Sequence, residues 1–253
     1  MPIRAVVFDL FDTLVDLLTE EIPFEEHDGR RIPAFVMRLH RLIGEVAKVD
    51  LLEFMQVNRD VDAELRESRH SKHIETPSQL RFARVIERLG IDDASLPQRM
   101  VETHMAGVRA QVRELDHHPE VLSELARNVR IGLCSNFTHA PTAVAVLESA
   151  GLHEHMHAVV VSEAVGIRKP RSEIFEAVMD ELDVAPEETL HVGDSLSADV
   201  GGAAALGIRT AWITRRVRDP GEKLHAFVGT PPDWCIADLA ELPDLLLRSD
   251  AEQ

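Results

Sequence analysis

Residues 5–15 read Ala5-Val6-Val7-Phe8-Asp9-Leu10-Phe11-Asp12-Thr13-Leu14-Val15. A short β-branched run that ends in a carboxylate predicts a buried parallel strand delivering one acid to the C-terminal edge of a sheet. In doubly wound folds that edge is where ligands bind. Three further apolar runs follow the same rule. Val129–Cys134 ends at Ser135-Asn136, Ala158–Ser162 leads to Lys169-Pro170, and Thr189–Val192 leads to Gly193-Asp194-Ser195 with Asp199.

Between these runs the pattern is helical. Helices are expected near Val121–Asn128 and Thr142–Ala150, over Ser172–Leu182 and over Ala198–Leu206, with Gly207 as a C-cap. Thr210–Ile213 and Asp233–Ile236 read as further strands, and Asp238–Leu247 as a last helix. Strands alternating with helices imply a parallel sheet covered on both faces, hence an α/β, doubly wound, Rossmann-like core.

Residues 17–112 break this rhythm. Pro33 to Val57 carries Phe35, Leu39, Leu42, Ile43 and Val46 at helical spacing. Thr76-Pro77-Ser78 reads as a cap before a helix with Phe82, Val85, Ile86 and Leu89 on one face, closed by Gly90, and another helix is expected from Leu96 to Val112. The expectation is an all-helical cap of residues 17–112, inserted into a core made of 1–16 and 113–253.

The 253 residues and 45% hydrophobic content suffice for a full core. A net charge of −17 argues against a nucleic-acid or anionic-membrane surface. Cys134 and Cys235 have no motif spacing, so neither a disulfide framework nor a thiolate zinc site is expected. No apolar stretch approaches the ~20 residues of a membrane span, and the N-terminus lacks a signal-peptide pattern. A cytoplasmic monomer or homodimer is the expectation. The charge runs at Glu25–Arg31 and His70–His73 read mainly as solvated faces. His117-His118 and His153/His155/His157 lack zinc-motif spacing and read as surface or turn residues.

Asp9, Ser135-Asn136, Lys169-Pro170 and Gly193-Asp194-Ser195 with Asp199, in this order, resemble the motifs of the haloacid dehalogenase superfamily. The resemblance runs from residue 3 to about 215. It implies that Asp9 is a nucleophile forming an aspartyl ester and that Thr13 holds the transferring group. Lys169 would neutralise both, and Ser135 and Asn136 would bind phosphate or carboxylate. It also implies a Mg²⁺ site made by Asp9, the backbone carbonyl of Phe11, Asp194 and, directly or through water, Asp199.

Phe11 departs from the phosphatase pattern, in which a second Asp protonates the leaving alkoxide. Losing a general acid costs ~10²–10⁴-fold for a basic leaving group and little for a good one. An aromatic residue here is similar to the haloacid dehalogenases, which generally lack an acid matching Asp194. Phosphonoacetaldehyde hydrolases also lack the second Asp but need a cap lysine, and only Lys48 and Lys72 lie in residues 17–112. Asp12 stands where Gly is common. A Mg²⁺-dependent phosphatase of a small phosphorylated metabolite is the leading expectation. Hydrolysis of a halogenated acid comes second, and a phosphonate hydrolase or a weak ligand-binding relative after that.

Overall fold

A computed structural model describes residues 2–251. The chain divides into two compact units, Met1–Asp16 with Arg113–Gln253, and Leu17–Val112. The outermost residues, 1 and 252–253, lie outside the described residues.

The first unit is built on six parallel strands. Their spatial order is Trp234–Ile236, Arg209–Ile213, Thr189–Gly193, Ala5–Phe8, Arg130–Ser135 and Ala158–Val161. Chain order therefore reverses beside the first strand, and the switch point lies between Ala5–Phe8 and Thr189–Gly193. All four residues of Ala5–Phe8 are buried, as expected of a central strand covered on both faces. Ala5 and Val7 join Cys134, Ala158 and Val160 under the helix Ser172–Leu182, which contributes Ile174, Phe175, Val178, Met179 and Leu182. Val6 and Phe8, turned to the other face by strand alternation, are fully buried too.

Gly202 brings two segments together. A Cβ there would stand 2.8 Å from both Pro170 Cα and Phe175 Cε2. Only hydrogen at this position lets the helix Gly201–Ala204 pack on the segment that carries Lys169. Asp16, where the chain leaves this unit, is buried and ion-paired with Arg113 and Arg215. Burial opposes its ionisation, but the two guanidiniums hold its pKa below the ordinary carboxylate value.

The inserted unit holds the helices Ala34–Gly44, Leu51–Ser68, Ser78–Arg88 and Leu96–Arg109 around Ile43, Phe54, Phe82, Leu96, Met100 and Met105. The helical spacing read from Pro33 to Val57 is shared by two helices, the first ending at Gly44 and the second begun by Asp50. Its Oδ1 accepts from Leu52 N–H at 2.8 Å and caps a new helix. The expectation that no strand interrupts this region is corrected. Phe24–His27 pairs antiparallel with Arg30–Pro33, turning through Asp28 and Gly29 at φ 49° and 72°. Asp-Gly is a hairpin signal that the surrounding charge obscured. Among the described residues, no helix is long and apolar enough to cross a membrane.

Candidate active site

The switch point collects the acids. Asp9 follows the first strand, and its N–H donates to Val192 O at 2.9 Å, continuing the pairing one residue past the ladder. Asp194 leaves the adjacent strand directly after Gly193, and Trp212 Nε1–H donates to its carbonyl at 2.8 Å. Asp199 returns on a single π-helical turn, Leu196–Val200, begun by Ser195. Such wide turns are frequent at functional sites. Carboxylate oxygens of Asp9, Asp194 and Asp199 lie within 4.8 Å of one another.

Lys169 is buried among them. Its Nζ donates to Asp9 Oδ1 at 2.7 Å and to the Cys134 carbonyl at 2.6 Å, and it stands 2.6 Å from Asp199 Oδ1. The ammonium thus has three acceptors, which answers its desolvation. The Lys169-Pro170 peptide is cis. Asn136 brackets the Lys169 backbone, accepting from its N–H at 2.7 Å and donating to its carbonyl at 3.0 Å. Its amide therefore positions Lys169. Ser135 is buried at the end of its strand.

Sequence reasoning missed His191. Its Nε2 meets Asp199 Oδ1 at 2.9 Å, while Ser195 N–H donates to Asp199 Oδ2 at 3.0 Å. Both oxygens of Asp199 are thereby engaged, and its place is that of an orienting acid behind Lys169. The signal was a histidine inside a buried strand, a position that needs a partner.

These contacts divide the charge unequally. Burial raises the pKa of Asp9 despite the nearby ammonium. Burial would also raise Asp199, but Lys169 and His191 outweigh it and hold the group well below the ordinary value. Lys169 is desolvated, yet Asp199 and Asp9 push its pKa up, so it stays charged. Asp194 is pushed up to about 7 by burial and by the charges of Asp9, Asp199 and Asp12. With all three acids ionised, the single ammonium would leave a deficit of two charges, and burial together with that crowding raises the pKa values of Asp9 and Asp194.

The loop after Asp9 is tight. Leu10 O accepts from Leu14 N–H at 2.9 Å and Val15 N–H at 3.1 Å. Asp12 adopts φ 57°, which explains why glycine suits this position, and its carboxylate meets Arg216 Nε at 3.4 Å. Phe11 packs edge-on against Phe137, with ring centroids 4.9 Å apart. Thr13 is fully buried, and its Oγ1 has no hydrogen-bond partner among the described residues. Lys48 and Lys72 are both exposed, without the burial that makes a lysine nucleophilic.

A chain of this topology, with its polar chemistry gathered at the switch point, falls among the α/β enzymes that work at the C-terminal edge of a parallel sheet. A family model described as haloacid dehalogenase-like hydrolase matches residues 3–207, and the protein belongs to that family. It is 29% identical over 220 residues to glyceraldehyde 3-phosphate phosphatase of Methanopyrus kandleri, covering 84% of each chain. It is also 27% identical over 256 residues to (S)-2-haloacid dehalogenase 1 of Pseudomonas sp. strain CBS-3, covering 98% of each. Among solved structures, the HAD hydrolase YfnB of Bacillus subtilis, bound to magnesium, matches with a TM-score of 0.60 and 21% identity. That match covers 98% of this chain and all of the other.

Proposed function

We propose that the protein is a Mg²⁺-dependent phosphatase acting on a small phosphorylated metabolite, by way of an aspartyl-phosphate on Asp9. The observation that carries this reading is the crowding of Asp9, Asp194 and Asp199, whose oxygens converge within 4.8 Å while a single ammonium pairs with only two of them. Clustered carboxylates repel one another unless a cation intervenes. An all-oxygen donor set suits magnesium. Asp9, the Phe11 carbonyl and Asp194 would hold the ion, with Asp199 behind them on Lys169. When bound, the ion supplies positive charge to the transferring phosphoryl group.

The residues divide the remaining work. Lys169 fixes Asp9 Oδ1, leaving Oδ2 to attack phosphorus as the bond to the leaving oxygen breaks. The same ammonium offsets charge on the phosphoryl oxygens. Thr13 brings a buried hydroxyl that an anionic ligand would satisfy. Water then attacks the aspartyl-phosphate, releasing phosphate and restoring Asp9. Phe11 brings no acid, so good leaving groups such as acyl phosphates should turn over faster than alkyl phosphates.

A second reading, hydrolysis of a carbon–halogen bond through an Asp9 ester, is favoured by Phe11, which offers no acid and is packed edge-on against Phe137, since a halide leaves without a proton. One experiment separates the two. Para-nitrophenyl phosphate turnover is measured with Mg²⁺ and with chelator, using Asp9→Asn as control. Metal-dependent turnover lost in the variant supports the phosphatase. Chelator-resistant halide release from 2-haloacids, without phosphate release, would replace it with the dehalogenase.

A further inference from the structure

A second convergence of ligating side chains lies apart from the acids, at the start of the helix His118–Leu125. One ligand atom from each of His117, His118 and Asp238 lies within 4.8 Å of the others. His117 Nε2 is 2.7 Å from Asp238 Oδ1, which also accepts from Ala240 N–H at 2.9 Å.

His118 gives the cluster its meaning. The expectation that this histidine is a surface or turn residue is corrected, because it is only 1% exposed. Its Nδ1 lies 2.8 Å from the Leu14 carbonyl oxygen. A carbonyl only accepts, so Nδ1 carries the proton and Nε2 keeps its lone pair. That Nε2 is buried without a hydrogen-bond partner among the described residues. A solvated His117–Asp238 ion pair would account for two of the three residues and leave this nitrogen unanswered.

We propose that His117, His118 and Asp238 bind one divalent transition ion of the zinc or cobalt(II) class, at a site separate from the acidic cluster. An imidazole that donates one N–H to a backbone carbonyl and offers the opposite nitrogen is oriented as metal-bound histidines are. Two nitrogens and one carboxylate oxygen suit zinc and leave the fourth position to water. The harder magnesium prefers oxygen donors, so the two sites differ in selectivity. Zinc–nitrogen bonds of ~2.0–2.1 Å bring tetrahedral ligand atoms to about 3.3 Å apart. Binding would open the 2.7 Å His117–Asp238 contact to that spacing, and the half-exposed His117 ring has the freedom to make the move. The ion would tie the turn at Asp238 to the helix start, and through Leu14 to the loop that follows Asp9.

The test uses the full chain, stripped with chelator and returned to saturating Mg²⁺ so that the acidic cluster is supplied. Cobalt(II) is followed by its visible absorption and zinc by titration calorimetry. One equivalent should bind. His117→Gln at an exposed position and Asp238→Asn at a partly buried one, both checked for folding by circular dichroism, should each weaken binding at least fivefold. Asp194→Asn should leave it unchanged. No bound equivalent in the unsubstituted protein, weakening below fivefold in both variants, or loss of binding in Asp194→Asn alone would each overturn the proposal.

Discussion

Gly193 lies so close to Asp199 that a methyl group added to it would stand 2.3 Å from the Asp199 carboxyl carbon. The acid that holds Lys169 thus depends on the absence of a side chain six residues earlier. Gly193→Ala should displace Asp199 and misplace the ammonium. Misplacement of this kind can cost ~10²-fold. Turnover of para-nitrophenyl phosphate at saturating Mg²⁺, compared with the thermal midpoint, checks whether activity falls further than folding does.

Lys169→Met leaves Asp9 and Asp199 buried together without their shared cation. Breaking a buried ion pair from one side typically costs ~3–5 kcal/mol. Turnover should vanish, and the destabilisation should be greater at pH 8 than at pH 5. The folded variant would hold protons on the acids that the unfolded chain releases, so stability falls as pH rises. Urea unfolding at the two pH values gives the comparison.

Asp194 carries a folded-state pKa of about 7 against an ordinary value of 3.8. A raised acid contributes stability that is fully present below the lower value and is lost as pH climbs through the upper one. In chelator, the thermal midpoint should therefore decline across about pH 4 to 7. Asp194→Asn should flatten that decline. Magnesium should raise the midpoint more at pH 8 than at pH 5.5, since the ion competes with the proton. An equal rise at both would exclude Asp194 as a ligand.

On the proposed phosphatase reading, Phe11→Asp would place a carboxylate where a leaving oxygen needs a proton donor. Turnover of alkyl phosphates should rise tenfold or more, toward the ~10²–10⁴ that general acid catalysis supplies. Turnover of the nitrophenyl ester, whose leaving group needs no proton, should change little. The lost edge contact with Phe137 should cost roughly 0.5–1.5 kcal/mol of stability.

Much of the sheet was legible because buried parallel strands are continuous apolar runs, and their last residues announce the C-terminal edge. Ala5–Phe8 and Thr189–Gly193 show this most clearly. The hairpin at Phe24–Pro33 was not legible, since exposed strands lack an apolar face and charge dominates their reading. In the site, the motif order singled out Asp9, Lys169 and Asp194, which the fold brings to one place, but partner choice depends on packing. Asn136 turns to the Lys169 backbone, and His191 meets Asp199 from inside a strand. The left-handed turn at Asp12, which swings its carboxylate toward Arg216, is a backbone property that no side-chain pattern encodes.

The strand bearing Asp9 pairs on one side with Arg130–Ser135 and on the other with Thr189–Gly193. Of the six strands of the sheet it is the first made, yet its second neighbour is about 180 residues behind it. At ~5–20 residues per second, that is roughly ten to forty seconds on the ribosome with an unpaired apolar edge. The hairpin and helices of residues 17–112 find their partners nearby in the chain and can form in that interval. In a late-closing sheet of this kind, Ala5–Phe8 is the strand that waits longest for its full set of partners.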